Sequence, residues 1–133
     1  MEKKAKILLV DDDVDFVEAT KIVLESKPYK VIVAYEGEEA LRKAKKENPD
    51  LILLDIIMPV KDGFIAAEQL KKDPQLSKIP VIILTSFSAK GAGTGIPRSR
   101  GAALEAEDYV EKPVTPQELL RKVETYLKPK ASR

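Results

Sequence analysis

Three aspartates in a row, Asp11, Asp12 and Asp13, follow the apolar run Ile7–Val10. A fourth, Asp55, follows a second such run, Leu51–Leu54. Thr85 and Ser86 follow a third, Pro80–Leu84, and Lys112 follows the short stretch Asp108–Glu111. Clustered carboxylates repel one another, and their pKa values rise unless a cation neutralises them. Oxygen ligands without His or Cys suit a hard divalent ion, Mg²⁺ above all. A hydroxyl and a lysine beside such an ion suit a phosphoryl group. The ion and the ammonium balance its charge, and the hydroxyl donates a hydrogen bond. Taken singly, each of these residues is ordinary in a turn or loop. Only their gathering in one place makes a site.

The elements between them supply that gathering. Short continuous apolar runs are how strands buried on both faces of a parallel sheet read. Four are expected at Ile7–Val10, Val31–Tyr35, Leu51–Leu54 and Pro80–Leu84, with a short fifth at Asp108–Glu111. Between them lie stretches of helical period. About Val14 to Lys27 places Val14, Val17, Lys21 and Leu24 on one face, with Phe16, Thr20 and Val23 beside it. One of the preceding aspartates can cap this helix. Gly37–Glu47 turns Ala40, Leu41 and Ala44 inward and ends at Asn48–Pro49. Asp62–Gly63 opens a third helix carrying Phe64, Ala67, Leu70 and Lys71. Thr115-Pro116-Gln117-Glu118 is a capping box with Pro in the first helical position, and it starts a last helix with Leu119, Leu120, Val123 and Leu127 inward. Strands alternating with helical connections imply a parallel sheet with right-handed crossovers. In such a sheet the C-terminal strand ends share one edge, where open α/β folds place their chemistry.

Composition bounds the rest. The chain has 133 residues, enough for one domain with one core. Lys plus Arg total 23 and Asp plus Glu 22, so a net charge of +1 makes no electrostatic case for nucleic acid or an anionic membrane. There is no Cys, which excludes disulfides and thiolate chemistry, and no His, which removes the commonest general base. A chain without His also cannot carry a phosphohistidine of its own. The basic-then-apolar start, MEKKAKILLV, is cut by Asp11–Asp13 too early for a signal-peptide core. No apolar run approaches the roughly 18 residues of a membrane span. A cytoplasmic protein is expected.

ILLVDDD at 7–13, DLILLDIIMPVKDG at 50–63, VIILTS at 81–86 and DYVEKP at 108–113, in this order, resemble the receiver domain of the two-component response regulators. The resemblance runs from about Lys6 to Leu127. It implies a single flavodoxin-like α/β domain over 1–128, a short basic tail at 129–133, and a five-stranded parallel sheet of order 2-1-3-4-5 with helices on both faces. It makes Asp55 the phosphoacceptor. Asp11, Asp12, Asp55 and the backbone carbonyl of Ile57 become ligands of Mg²⁺. Thr85 becomes the switch hydroxyl, Lys112 the phosphate-pairing lysine and Tyr109 the aromatic that moves inward on activation, with a cis peptide at Lys112–Pro113. The implied donor is a histidine kinase, a phosphotransfer protein or a small phosphodonor, and the implied reader is a downstream protein target. Such a domain assists its own phosphorylation and dephosphorylation and is not a turnover enzyme. No contact with nucleic acid or membrane is expected, and the implied state is a monomer or a weak, phosphorylation-dependent dimer.

Three features depart from the family pattern. Lys90–Arg100 (KGAGTGIPRSR) is rich in the poorest helix formers, so the fourth helix is expected to be short or disordered, with a flexible loop at Ser88–Arg100 and a short helix near Arg100–Ala106. Ile57 and Phe87, two residues after Asp55 and Thr85, are bulky apolar groups beside the expected phosphate; by excluding water they would lengthen the phosphorylated lifetime. Few residues follow Leu127, which fits either a stand-alone receiver or a piece of a longer protein.

Two other readings compete. Asp11-Asp12-Asp13-Val14 fits the DxD[TV] pattern of haloacid-dehalogenase-type phosphatases, with Asp11 as nucleophile and Asp13 as acid/base. That reading leaves Asp55 unexplained. A phosphorylation-independent flavodoxin-like binding module is the second. Three Phe, four Tyr and no Trp offer no evident platform for a flavin ring.

Overall fold

The apolar runs become strands because neither of their faces has anything to offer water. The computed structural model describes residues 5–55, 63–85, 107–112 and 114–127, without the side chains of 63–65, 67 and 85. Five parallel strands, β1 (Ala5–Val10), β2 (Tyr29–Ala34), β3 (Leu51–Asp55), β4 (Val81–Thr85) and β5 (Asp108–Glu111), lie in the order β2-β1-β3-β4-β5. Four helices are described: α1 (Val14–Glu25), α2 (Gly37–Glu47), α3 (Gly63–Lys72) and, last in the chain, α4 (Pro116–Leu127). The expected loop at Ser88–Arg100 and the short helix near Arg100–Ala106 lie outside the described residues, and so do Ile57, Phe87 and Pro113.

Strand alternation divides the core in two. Leu8, Val10, Ile52, Leu54, Val81 and Ile83 point to one face, where Ala40 and Ala44 of α2 and Ala66 and Leu70 of α3 cover them. Ile7, Leu9, Leu51, Leu53, Ile82 and Leu84 point to the other, under Val17 and Leu24 of α1 and Leu119 and Val123 of α4. Each buried Leu, Ile or Val contributes roughly 1.5–3 kcal/mol relative to an exposed one. The three interior strands, β1, β3 and β4, are therefore the least replaceable part of the fold.

Helix ends follow local chemistry. Asp13 caps α1, its side chain accepting the Phe16 N–H at 3.2 Å. The Thr115 hydroxyl accepts the Glu118 N–H at 3.1 Å, as the capping box predicts. Asn48, in the left-handed region at φ 50°, ends α2. One expected face is corrected. Val14 does not share the inward stripe of α1; it is exposed, and Val17, Thr20 and Leu24 form that stripe. Val14 is the first helical residue after the cap and stays in solvent.

Candidate functional site

Register brings the acids together. Val10 pairs with Leu54, so the next residues along, Asp11 and Asp55, leave adjacent strands side by side. Thr85 pairs with Glu111, so Lys112 leaves the sheet one step beyond them. Neighbouring strands lie about 4.8 Å apart, and one carboxylate oxygen from each of Asp11, Asp12 and Asp55 lies within 4.8 Å of the others. Asp11 is fully buried and Asp55 nearly so, whereas Asp12 faces solvent.

Lys112 closes the group from the far side of the sheet. Its Nζ donates to Asp11 Oδ2 at 2.6 Å and stands 3.6 Å from Asp55 Oδ2. The other Asp11 oxygen, Oδ1, accepts the Asp13 N–H at 3.0 Å. Burial alone would pull the Lys112 pKa down, but the hydrogen bond to Asp11 and the charges of Asp55 and Asp11 outweigh it and hold the pKa above the ordinary lysine value. The ammonium therefore stays charged throughout the physiological range.

The described part of this edge holds three carboxylates against one ammonium. An all-oxygen, net-negative donor set open through Asp12 has the chemistry that a hard divalent cation requires. Thr85 ends β4 at the same edge, though its side chain is outside the described set. Tyr109 sits in β5 opposite Ile83 and is partly exposed. Its neighbour Val110 packs among the residues under α1 and α4, so alternation turns Tyr109 to the other face of the sheet.

One residue at the site went unread in the sequence. The Phe16 ring, placed only beside the inward face of α1, lies with its centroid 4.3 Å from Lys112 Nζ. The available signal was its position, third in a helix whose cap is the last of the three aspartates.

Comparison with known proteins agrees with this geometry. Residues 7–124 match the response regulator receiver domain family. The chain belongs to that family. It is 37% identical over 128 residues to the probable transcriptional regulator ycf27 of Guillardia theta, covering 96% of this chain and 47% of that protein. It is 38% identical over 123 residues to the alkaline phosphatase synthesis transcriptional regulatory protein PhoP of Bacillus subtilis, covering 92% and 48%. The chain thus spans about half the length of these curated relatives. Among solved structures, chemotaxis protein CheY4 of Vibrio cholerae superposes with a TM-score of 0.82 at 31% identity, covering 94% of this chain and all of that one (100%). The receiver domain of sensor histidine kinase PA1611 from Pseudomonas aeruginosa, solved with a magnesium ion coordinated in its active-site cleft, superposes with a TM-score of 0.83 at 28% identity, covering 96% and 100%. The family is one of signalling domains in two-component systems, whose receivers pair with histidine kinases or phosphotransfer proteins. The sheet order and the family expected from the sequence are both borne out. Among the described residues no helix is long and apolar enough to cross a membrane.

Proposed function

We propose that this domain receives a phosphoryl group on Asp55 with the help of Mg²⁺ and uses it to switch a protein-binding surface. The observation that carries the reading is the meeting of Asp11, Asp12 and Asp55 within 4.8 Å, with Lys112 bridging two of them. In the proposed step an Asp55 oxygen forms a bond to phosphorus as the P–N bond to a partner's phosphohistidine breaks, and the leaving imidazole takes up a proton. A small acyl phosphate can serve as donor in the same way. Lys112 pairs with the phosphoryl oxygens, and Asp11, Asp12 and Asp55 hold the ion, joined in the family pattern by the Ile57 carbonyl. Mg²⁺, when bound, supplies the positive charge that the transferred group needs. Thr85 and Tyr109 then relay the change, Thr85 from the end of β4 and Tyr109 from the adjacent strand. This is a shift between two populated states, and a downstream partner is controlled only if it binds one of them better.

The engagement of both Asp11 oxygens argues against Asp11 as nucleophile. Asp11 is fully buried, with one oxygen on the Asp13 N–H and the other on Lys112. It is placed to hold and orient, which weakens the phosphatase reading.

Intact mass after incubation with acetyl phosphate and Mg²⁺ tests the proposal. The wild type is expected to gain one phosphoryl group, and Asp55→Asn or chelation of the ion to abolish the gain. An adduct that survives Asp55→Asn but disappears in Asp11→Asn would overturn the assignment in favour of the phosphatase chemistry.

A further inference from the structure

We propose that Phe16 is a positioning residue for Lys112, its aromatic face holding the ammonium over the acidic site. This inference rests on the reading of Lys112 as the partner of the transferred phosphoryl group. A lysine side chain has four rotatable bonds, and fixing its head costs much of its rotamer entropy. Asp11 and Asp55 restrain Lys112 unequally, at 2.6 and 3.6 Å. Phe16 meets the same nitrogen at 4.3 Å from its centroid, well inside the roughly 6 Å over which a ring face attracts a cation. Only 20% of the Lys112 side chain is exposed, so water screens this attraction weakly.

Phe16 is itself held in place. Its N–H donates to Asp13, which caps α1, and its side chain packs against the core cluster beneath α1 and α4. The run of three aspartates therefore does a second job. Asp11 and Asp12 enter the acidic group, while Asp13 starts the helix that presents the ring. The ring carries no net charge and competes for neither carboxylate. When an ion or a phosphoryl group draws on Asp11 or Asp55, Phe16 still keeps the ammonium within reach of the reacting oxygen. A leucine here would fill similar space but would let the lysine head wander.

The test separates ring electrostatics from packing. Phenylalanines carrying progressively more fluorine at position 16 keep nearly the same shape while weakening the ring face as a cation partner. The phosphorylation rate with acetyl phosphate and Mg²⁺ is expected to fall stepwise with fluorination, by about three- to tenfold across the series. Phe16→Leu is expected to match the most fluorinated form, and Phe16→Tyr to stay within about twofold of wild type. The loss should appear in the maximal rate rather than in the donor concentration giving half of it. In the absence of any phosphodonor, the Lys112 Hε protons should show an upfield ring-current shift that Phe16→Leu removes and Phe16→Tyr retains. A rate flat across the fluorine series, or a missing ring-current shift, overturns the role of Phe16 while leaving an Asp55-dependent adduct intact. A wild type that takes up no phosphoryl group overturns the underlying reading instead, and with it the role of Phe16.

Discussion

The two ends of the sheet handle charge in opposite ways. Where the strands begin, acids are matched and put to structural use. Lys6 meets Glu47 at 3.4 Å, and its N–H donates to Asp50 at 2.8 Å. Lys71 meets Glu107 at 3.3 Å, and the same Glu107 carboxylate accepts the Val81 N–H at 2.7 Å. Lys122 meets Asp108 at 3.0 Å, and the Tyr126 hydroxyl lies 3.1 Å from both that carboxylate and the Glu107 carbonyl, either of which can accept its proton. Each pairing ties a strand start to a helix or to the next strand. Where the strands finish, Asp11, Asp12 and Asp55 crowd within 4.8 Å, and among the described residues one ammonium, that of Lys112, meets two of them. The first end is balanced within the chain. Among the described residues the second sets three carboxylates against one ammonium, a set that a cation or a reacting group would complete. Local rules are broken where function needs them broken, and the rest of the fold offsets the cost.

That contrast can be broken by substitution, most severely at Lys112. Lys112→Met strips the buried Asp11 of its ion-pair partner, and we expect a loss of about 3 kcal/mol in urea unfolding without divalent ions. Saturating Mg²⁺ should restore most of it, because a ligand that binds only the folded state stabilises that state. Unchanged stability in the variant would mean that the finishing edge is not short of charge.

Asp12→Asn should act in the opposite direction. It removes one of three like charges at an exposed position, so the ion-free protein should become more stable by at most about 1 kcal/mol. Added Mg²⁺ should raise the melting temperature of the wild type more than that of the variant. A destabilised variant would show that Asp12 is matched after all.

Asp108→Asn tests the balanced end and carries the smallest effect. Partial burial pushes the Asp108 pKa up, but the Lys122 ammonium, the Tyr109 N–H and the Tyr126 hydroxyl outweigh it and hold it below the usual aspartate value. Its contribution is fully present above the unfolded-state value of about 3.9 and is lost as pH falls through the lowered folded-state value. Screened by solvent, it is worth a few tenths of a kcal/mol up to about 1. Melting curves of wild type and variant should therefore differ above about pH 4 and converge below it. A constant gap across that range would assign the effect to packing.

The finishing edge was legible in the sequence, whereas the pairings at the strand starts were not. The runs at Ile7–Val10 and Leu51–Leu54 marked buried strands, and the polar residues that stop them marked one edge of a parallel sheet. Thr115 and Asn48 announced helix ends through turn and cap chemistry that acts over a few residues. Val14 differs from its expected face because periodicity assigns a residue to a stripe without saying where the stripe leaves the sheet.

Element types, their order and the identity of the acids at the strand ends follow from the order of residues, because period, caps and turn residues are local. The sequence also carried the family, because the motifs lie in order along the chain. The tertiary structure alone decided how the charges share one another. Asp11 and Lys112 are 101 residues apart, and only the strand register makes Lys112 pair closely with Asp11 and more distantly with Asp55. Phe16 came under that ammonium for the same reason. A helix capped by Asp13 on one strand end and a lysine leaving another meet only after the whole sheet between them has formed.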